Sequence, residues 1–285
     1  MALETFVWKN YQLDVLTGDV TSTFFLDEKA RKKVVTATIT AKEEGILAGM
    51  QEAKWFLKKV GIRLISPMKE GAWLKKGDVV MQLKGKAADL LAAERTLLNL
   101  LQRLSGIATK TKMLASTLPP HITLLATRKT QWGVLDKRAV AVGGGGTHRL
   151  GLFDAILVKE NHIALTSDFE KSLLSIFRHS KRVRFVEVEL ETKTEVSNFL
   201  SIFESFKKAH PALTKNIIVM LDDFKPTDIK AVLPALKKAG LLVEASGGIN
   251  EKTIARYCLP GLDALSSSSI TMAAKHLDLS MRVEG

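Results

Sequence analysis

A single cysteine, Cys258, among 285 residues excludes an internal disulfide framework and any metal site built from several thiolates. It reads as a small apolar side chain. Long uncharged apolar runs are missing too: none approaches the ~20 residues of a membrane span. Met1 to Asn10 lacks the cationic stretch and following apolar stretch of a secretory leader. These absences predict a cytoplasmic protein with no membrane partner. His-x-x-x-His spacing is absent, which argues against zinc. No Walker or dinucleotide fingerprint surrounds the glycine run Gly143 to Gly146, whose expected merit is a close backbone turn.

What is present is a hydrophobic fraction of 46%, enough for a sizeable core, and 42 Lys+Arg against 30 Asp+Glu. An excess of 12 positive charges suits anionic partners. Lysine pairs such as Lys32-Lys33, Lys75-Lys76 and Lys237-Lys238 are spread along the whole chain, as on a solvated surface. A nucleic-acid-binding protein would instead need an exposed basic face, and its binding would fall steeply with salt.

The first hundred or so residues read as mixed α+β. Strands are expected at Val34 to Thr40, Ile62 to Ile65 and Val79 to Leu83, and a helix over Glu43 to Val60. A long helix from about Ala87 to Ser116 carries Leu90, Leu91, Leu97, Leu98, Leu101 and Leu104, and Pro119-Pro120 makes a domain hinge. The expected division is 1–117, 118–270, and a last segment 271–285 packing back on the first domain. From Ile122 short apolar strands alternate with amphipathic helices: strands at 122–126, 155–158, 184–190, 217–221, 241–245 and 263–266, helices near 168–179, 194–210, 226–239 and 251–258. Six strands of this kind give an irregular, incomplete parallel α/β barrel or an open doubly wound sheet.

Each strand ends on a polar signature, and three basic clusters fall close together: Thr127-Arg-Lys-Thr130, His148-Arg149 and Lys159-Glu-Asn-His162. Arginine forks and lysine point charges converging on one crevice need a polyanion. His162 is the weakest member, since it can simply cap the next segment. Glu189 and Asp222 end two successive strands and suit Mg²⁺ held through phosphates, or an oxocarbenium-like centre; a structural ion pair with the nearby cations is the plainer alternative. Glu187 and Glu189 share a face, both inward or both outward. Ser246-Gly247-Gly248, before an expected helix, and the run Ser266 to Ser269 are candidate phosphate donors. Arg95, in an apolar helix, either snorkels to the surface or projects into a partner's pocket.

In order, Gly18-Asp-Val-Thr-Ser22, the stretch from Glu94 to Thr109, Thr127 to Thr130, His148-Arg149, Lys159 to His162, Glu187-Val-Glu189, Leu221-Asp222 and Ser246 to Gly248 resemble the motifs of the quinolinate phosphoribosyltransferase family. The resemblance covers nearly the whole chain. It implies an N-terminal α/β sandwich domain followed by an irregular α/β barrel, assembled at least as a dimer. It also implies Mg²⁺-dependent phosphoribosyl transfer from 5-phosphoribosyl-1-pyrophosphate to quinolinate, with loss of CO₂. By motif, Arg128, His148 and Arg149 would hold the quinolinate carboxylates, with Arg95 reaching in from the neighbouring subunit. Lys129 and Lys159 would face the substrates and diphosphate, Glu189 and Asp222 the ribose and metal, and Ser246, Gly247, Gly248, Ser267 and Ser268 the 5-phosphate. A nicotinate-using transferase and a relative encoded with molybdate transport systems share the scaffold. Three departures stand out: Gln131-Trp-Gly-Val134 replaces a proline-glycine turn and is about two residues shorter, Asp223 replaces an asparagine, and a serine within Ser266 to Ser269 replaces a glycine.

Overall fold

Two hydrophobic periods, one of two residues and one of 3.6, divide this chain between an antiparallel sheet and a run of β/α units. The computed structural model describes residues 2–284. Its elements run α1 (Ala2–Val15), α2 (Val20–Phe25), α3 (Glu28–Lys32), β1 (Val34–Ala41), β2 (Gly45–Ile46), α4 (Met50–Lys59), β3 (Arg63–Pro67), β4 (Trp73–Leu74), β5 (Val79–Lys86) and α5 (Ala87–Ala115). There follow β6 (Thr123–Ala126), α6 (Val134–Val142), β7 (Ile156–Val158), α7 (Glu160–Leu165), α8 (Phe169–Arg178), β8 (Val186–Leu190), α9 (Lys193–Ala209), β9 (Ile217–Asp222), α10 (Pro226–Lys238), β10 (Leu242–Ser246), β11 (Ala264–Ser267), α11 (Ser269–Met272) and β12 (Leu279–Glu284).

The chain folds as two units. The first runs to Met113 and takes in Val134–Gly144 and the segment from Ala273 onward. Its sheet has the order β12-β1-β5-β3, antiparallel throughout. Val35, Ala37, Ile39 and Ala41 alternate into the core along β1, as a half-buried strand requires. Leu90, Leu97, Leu98, Leu101 and Leu104 form the buried stripe of α5, whereas Leu91 is exposed. Gly106 on α5 is where a side chain has no room: a β-carbon there would overlap the Lys275 carbonyl. The helix expected over Glu43 to Val60 starts only at Met50. Its first residues are taken by β2, which pairs with β4, and the Glu70 carboxylate accepts from the amides of Gly49 and Met50 at 2.8 Å each, capping α4 from a distance. Helices α1 to α3 were not anticipated.

The second unit comprises Leu114–Gly133 and Gly145–Met272. Six parallel strands lie in the order β6-β11-β10-β9-β8-β7. Apart from β6 the order is that of the chain, and β6 lies beside the last strand. A doubly wound sheet reverses direction at a switch point, and this one does not. The arrangement is the expected incomplete barrel, with β6 and β7 as its two unjoined edges. Gly146 runs alongside β6, donating to Leu124 O at 2.8 Å and accepting from Ala126 N at 2.9 Å. A side chain at 146 would strike Leu125. The glycine run is thus a packing device. The helix expected over Glu251 to Cys258 is replaced by turns and one 3-10 segment, Ile254–Tyr257. Side chains win that contest locally: Asn250 Oδ1 accepts from Lys252 N, and Thr253 Oγ1 accepts from Asn250 N and donates to Gly248 O.

No helix among the described residues is long and apolar enough to cross a membrane.

Candidate active site

Parallel strands bury both faces, so their polar residues gather where the chain leaves the sheet. A cavity of about 290 Å³ opens at those strand ends. Its lining includes Arg128 and Lys129 beyond β6, His148 and Arg149 beyond the Gly146 bridge, Lys159 beyond β7, Glu189 on β8, Asp222 at the end of β9, and Ser246 at the end of β10. Eight of the residues named from sequence therefore share one cavity. Arg95 does not: it lies exposed on α5, in the first unit. Gly247, Gly248, Ser267 and Ser268 are at adjacent strand ends but do not line the cavity. There the serine of β11 is Ser266, which is buried. Ser267 instead donates to Ile249 O and contacts the Ser269 hydroxyl at 2.8 Å. His162 is absent as well, because its Nδ1 accepts from Lys159 N at 3.1 Å and caps α7.

Side-chain hydrogen bonds hold the cationic segments in place. Thr127 Oγ1 accepts from Lys129 N at 3.1 Å, and Thr271 Oγ1 donates to Lys129 O at 2.8 Å. Asp154 accepts from the amides of Leu150 and Gly151 and pairs with Arg184 at 2.8 Å, closing the loop that carries Arg149. Burial pushes the Asp154 carboxyl up, but those amides and Arg184 together hold it below its ordinary range. Burial, followed by the charge of Arg128, lowers the Arg149 guanidinium. Two like charges drawn together in this way are relieved by an anion.

The acidic side of the pocket is more deeply set. Glu187 and Glu189 both point inward. Lys159 Nζ lies 2.7 Å from Glu189 Oε2. Burial raises the Glu189 carboxyl and Asp222 adds to the rise, while Lys159 opposes it. Below lies a group that sequence reasoning missed. His148 Nε2 is 2.7 Å from Glu187 Oε2 and 3.5 Å from Glu244 Oε2. Burial, then the neighbouring carboxylates, pushes Glu187 and Glu244 each up to about 8. The one signal for Glu244 was an acid inside the apolar run Leu241 to Ala245. Just after β9, Asp223 adopts a left-handed backbone (φ 54°) against Gly247 in the turn after β10, where a β-carbon would collide with the Asp223 carboxylate.

Such a pocket, cationic on one wall and with carboxylates beside it, has the charge pattern that suits a small, multiply charged anion. Comparison with known proteins agrees. Residues 19–105 match the family model "Quinolinate phosphoribosyl transferase, N-terminal domain", and residues 107–282 match its C-terminal counterpart. A probable nicotinate-nucleotide pyrophosphorylase [carboxylating] of Methanothermobacter thermautotrophicus is 35% identical over 281 residues, 95% of each chain. A protein of the same description from Bacillus subtilis is 35% identical over 275 residues, 95% of this chain and 89% of the other. The solved nicotinate-nucleotide pyrophosphorylase of Francisella tularensis superposes with a TM-score of 0.83 at 32% identity, covering 99% of this chain and 96% of that one. The chain belongs to the quinolinate phosphoribosyltransferase family.

Proposed function

We propose that this protein transfers the phosphoribosyl group of 5-phosphoribosyl-1-pyrophosphate to the nitrogen of quinolinate and releases pyrophosphate and CO₂, forming nicotinate mononucleotide for NAD biosynthesis. The observation that carries this reading is the convergence of Arg128, Lys129, Arg149 and Lys159 on the cavity that also holds Glu189 and Asp222. Arg128, His148 and Arg149 bind the two ring carboxylates. Lys129 and Lys159 face the diphosphate, and Ser246 with the Gly247–Gly248 turn receives the 5-phosphate, Ser267 and Ser268 standing behind it. The ring nitrogen attacks C1 of the ribose as the bond to pyrophosphate breaks, its electron pair leaving with the diphosphate. Glu189 and Asp222 stabilise the positive charge that develops on the ribose. The quaternised ring then accepts the electrons of the adjacent C–CO₂ bond, and the ring carbon takes up a proton. The pocket's part in that second step is to hold geometry.

Mg²⁺ belongs to the same proposal. Glu160, Glu189 and Glu191 bring carboxylate oxygens within 4.8 Å of one another, and Asp222 shares the cavity with Glu189. Such hard oxygen donors suit Mg²⁺ bound together with substrate phosphates, where the ion would neutralise diphosphate charge. A cytoplasmic location fits a chain whose lone thiol, Cys258, requires no oxidising compartment. The test is release of CO₂ and nicotinate mononucleotide from quinolinate, with nicotinate in parallel and Mg²⁺ present or omitted. Turnover of quinolinate that stops without Mg²⁺ is expected. Product from nicotinate alone, without CO₂, would replace this reading with that of the nicotinate-using relative.

Arg95 enters through assembly. An exposed arginine on the apolar helix α5, in the unit that does not hold the pocket, is explained if the protein is a homodimer and Arg95 reaches the neighbouring site. Arg95→Ala and Arg128→Ala should then each be inactive alone. After denaturation and mixed refolding at equal ratio they should recover about a quarter of wild-type activity, since half the dimers are mixed and each of those carries one intact site. No recovery would place Arg95 outside the partner's pocket.

A further inference from the structure

The turn that follows β10 is an anion cradle, and a carboxylate is packed against it. Gly247 and Gly248 are both left-handed (φ 93° and 60°), so one short turn presents two successive amides. Among the described residues neither amide donates to a protein acceptor. The Gly248 carbonyl, by contrast, is occupied: it accepts from Thr253 Oγ1 at 2.8 Å and from Asn250 Nδ2 at 3.2 Å. The turn is therefore held through its carbonyl while its donors stay available.

Asp223, on the neighbouring strand end, is joined to this turn by backbone. Its amide donates to Ser246 O at 3.1 Å. Its carboxylate lies so close to Gly247 that an ideal β-carbon there would stand 2.0 Å from Oδ1. Yet among the described residues that carboxylate accepts no hydrogen bond and joins no ion pair, and Asp223 is exposed. An uncharged side chain of the same shape would fill the notch beside Gly247 equally well. What the acid adds is a negative charge next to donors suited to an anion, and its effect on a bound phosphate is repulsive.

The 5-phosphate passes through the transfer unchanged, so donor and product meet this turn alike. The donor is held by its diphosphate as well, whereas the product has lost that anchor and one ring carboxylate. A tight phosphate subsite would thus retain the product without lowering the barrier to transfer. We propose that Asp223 is a specificity-determining residue of the phosphate subsite: its charge weakens the hold on the 5-phosphate and so limits inhibition by the nucleotide product. The proposal rests on the reading of this turn as the 5-phosphate subsite.

The experiment compares wild type with Asp223→Asn, which keeps the shape, removes the charge and tolerates the left-handed backbone. Titrations with nicotinate mononucleotide, ribose 5-phosphate and pyrophosphate are run beside steady-state kinetics. The two ribose phosphates are expected to bind about fivefold more tightly to the variant, the scale of one exposed charge a few ångströms away, and pyrophosphate within about twofold of wild type. The KM for the donor should fall with them, and that for quinolinate should stay within about twofold. At about 1 M salt the difference between the two proteins should shrink below about twofold, because charges in solvent are screened. A structural role for the carboxylate would leave the isosteric variant unchanged, or weaken it at every salt concentration; either result overturns the proposal. So does pyrophosphate gaining as much as the ribose phosphates, which would make the effect one of the whole pocket. Asp223→Gly, also at ease in a left-handed backbone, carries the same measurements if the asparagine variant does not fold. A wild-type protein that forms no nicotinate mononucleotide from quinolinate would sink the functional reading instead, and the ribose 5-phosphate titration would still decide the role of Asp223.

Discussion

Arg128→Ala should lower kcat/KM with quinolinate about a thousandfold or more, taking turnover to background while the protein stays folded. Removing one side of a charge pair formed out of water costs roughly 2–5 kcal/mol, and a fork contacting a carboxylate at two points stands toward the upper end. The fold should survive because Arg128 itself is exposed and its turn is held by other groups, Thr127 and Thr271. Arg128 also lowers the proton affinity of Arg149, so the empty pocket contains a repulsion that alanine removes. Thermal stability without ligand should therefore be unchanged or slightly higher. Kinetics and melting curves taken together check this, and near-normal turnover would refute the carboxylate-receptor role.

Asp136→Ala should destabilise the protein by about 3–5 kcal/mol, the usual result of removing one member of a buried ion pair. Arg103 Nε and Nη2 meet Asp136 Oδ1 and Oδ2 at 2.9 and 2.7 Å, with side-chain exposures of 6% and 0%. Alanine leaves a buried guanidinium without its bidentate acceptor and opens space beside it. The apolar pair Arg103→Met/Asp136→Leu should recover most of the loss, since the cost lies in an uncompensated charge and much less in the absence of the pair. Denaturant titration of the single and double variants distinguishes these outcomes. A change below about 1 kcal/mol in Asp136→Ala, the scale of an exposed pair, would show that this one is solvated in solution.

The catalytic end of the barrel was legible because parallel strands print themselves on a sequence: apolar runs such as Ile217 to Leu221 end abruptly in polar residues such as Asp222. Arg128, Lys159, Glu189 and Ser246 were found by that rule. Glu244 escaped it because it lies inside its strand, and its partners are 57 and 96 positions away, as Glu187 and His148. Alternation showed that Glu187 and Glu189 share a face, but only packing decides which face is inward. The lost helix at Glu251 to Cys258 was settled by Asn250 and Thr253 side chains competing for the backbone, and the shortened α4 by a carboxylate twenty residues downstream. Periodicity contains neither fact.

The placement of α6 has a consequence for inheritance. Val134–Gly144 belongs to the first unit although the chain on both sides of it belongs to the second, so the backbone passes between units after residues 113, 133, 144 and 272. A chimera that joins two relatives near residue 106, between the two family-model matches, would take Arg103 from one parent and Asp136 from the other. Parents of which only one carries the pair would give offspring in which a buried charge has lost its bidentate partner, however well their pockets agreed. Exchange within such a lineage is constrained to carry α6 with the amino-terminal half, or to keep that pair matched.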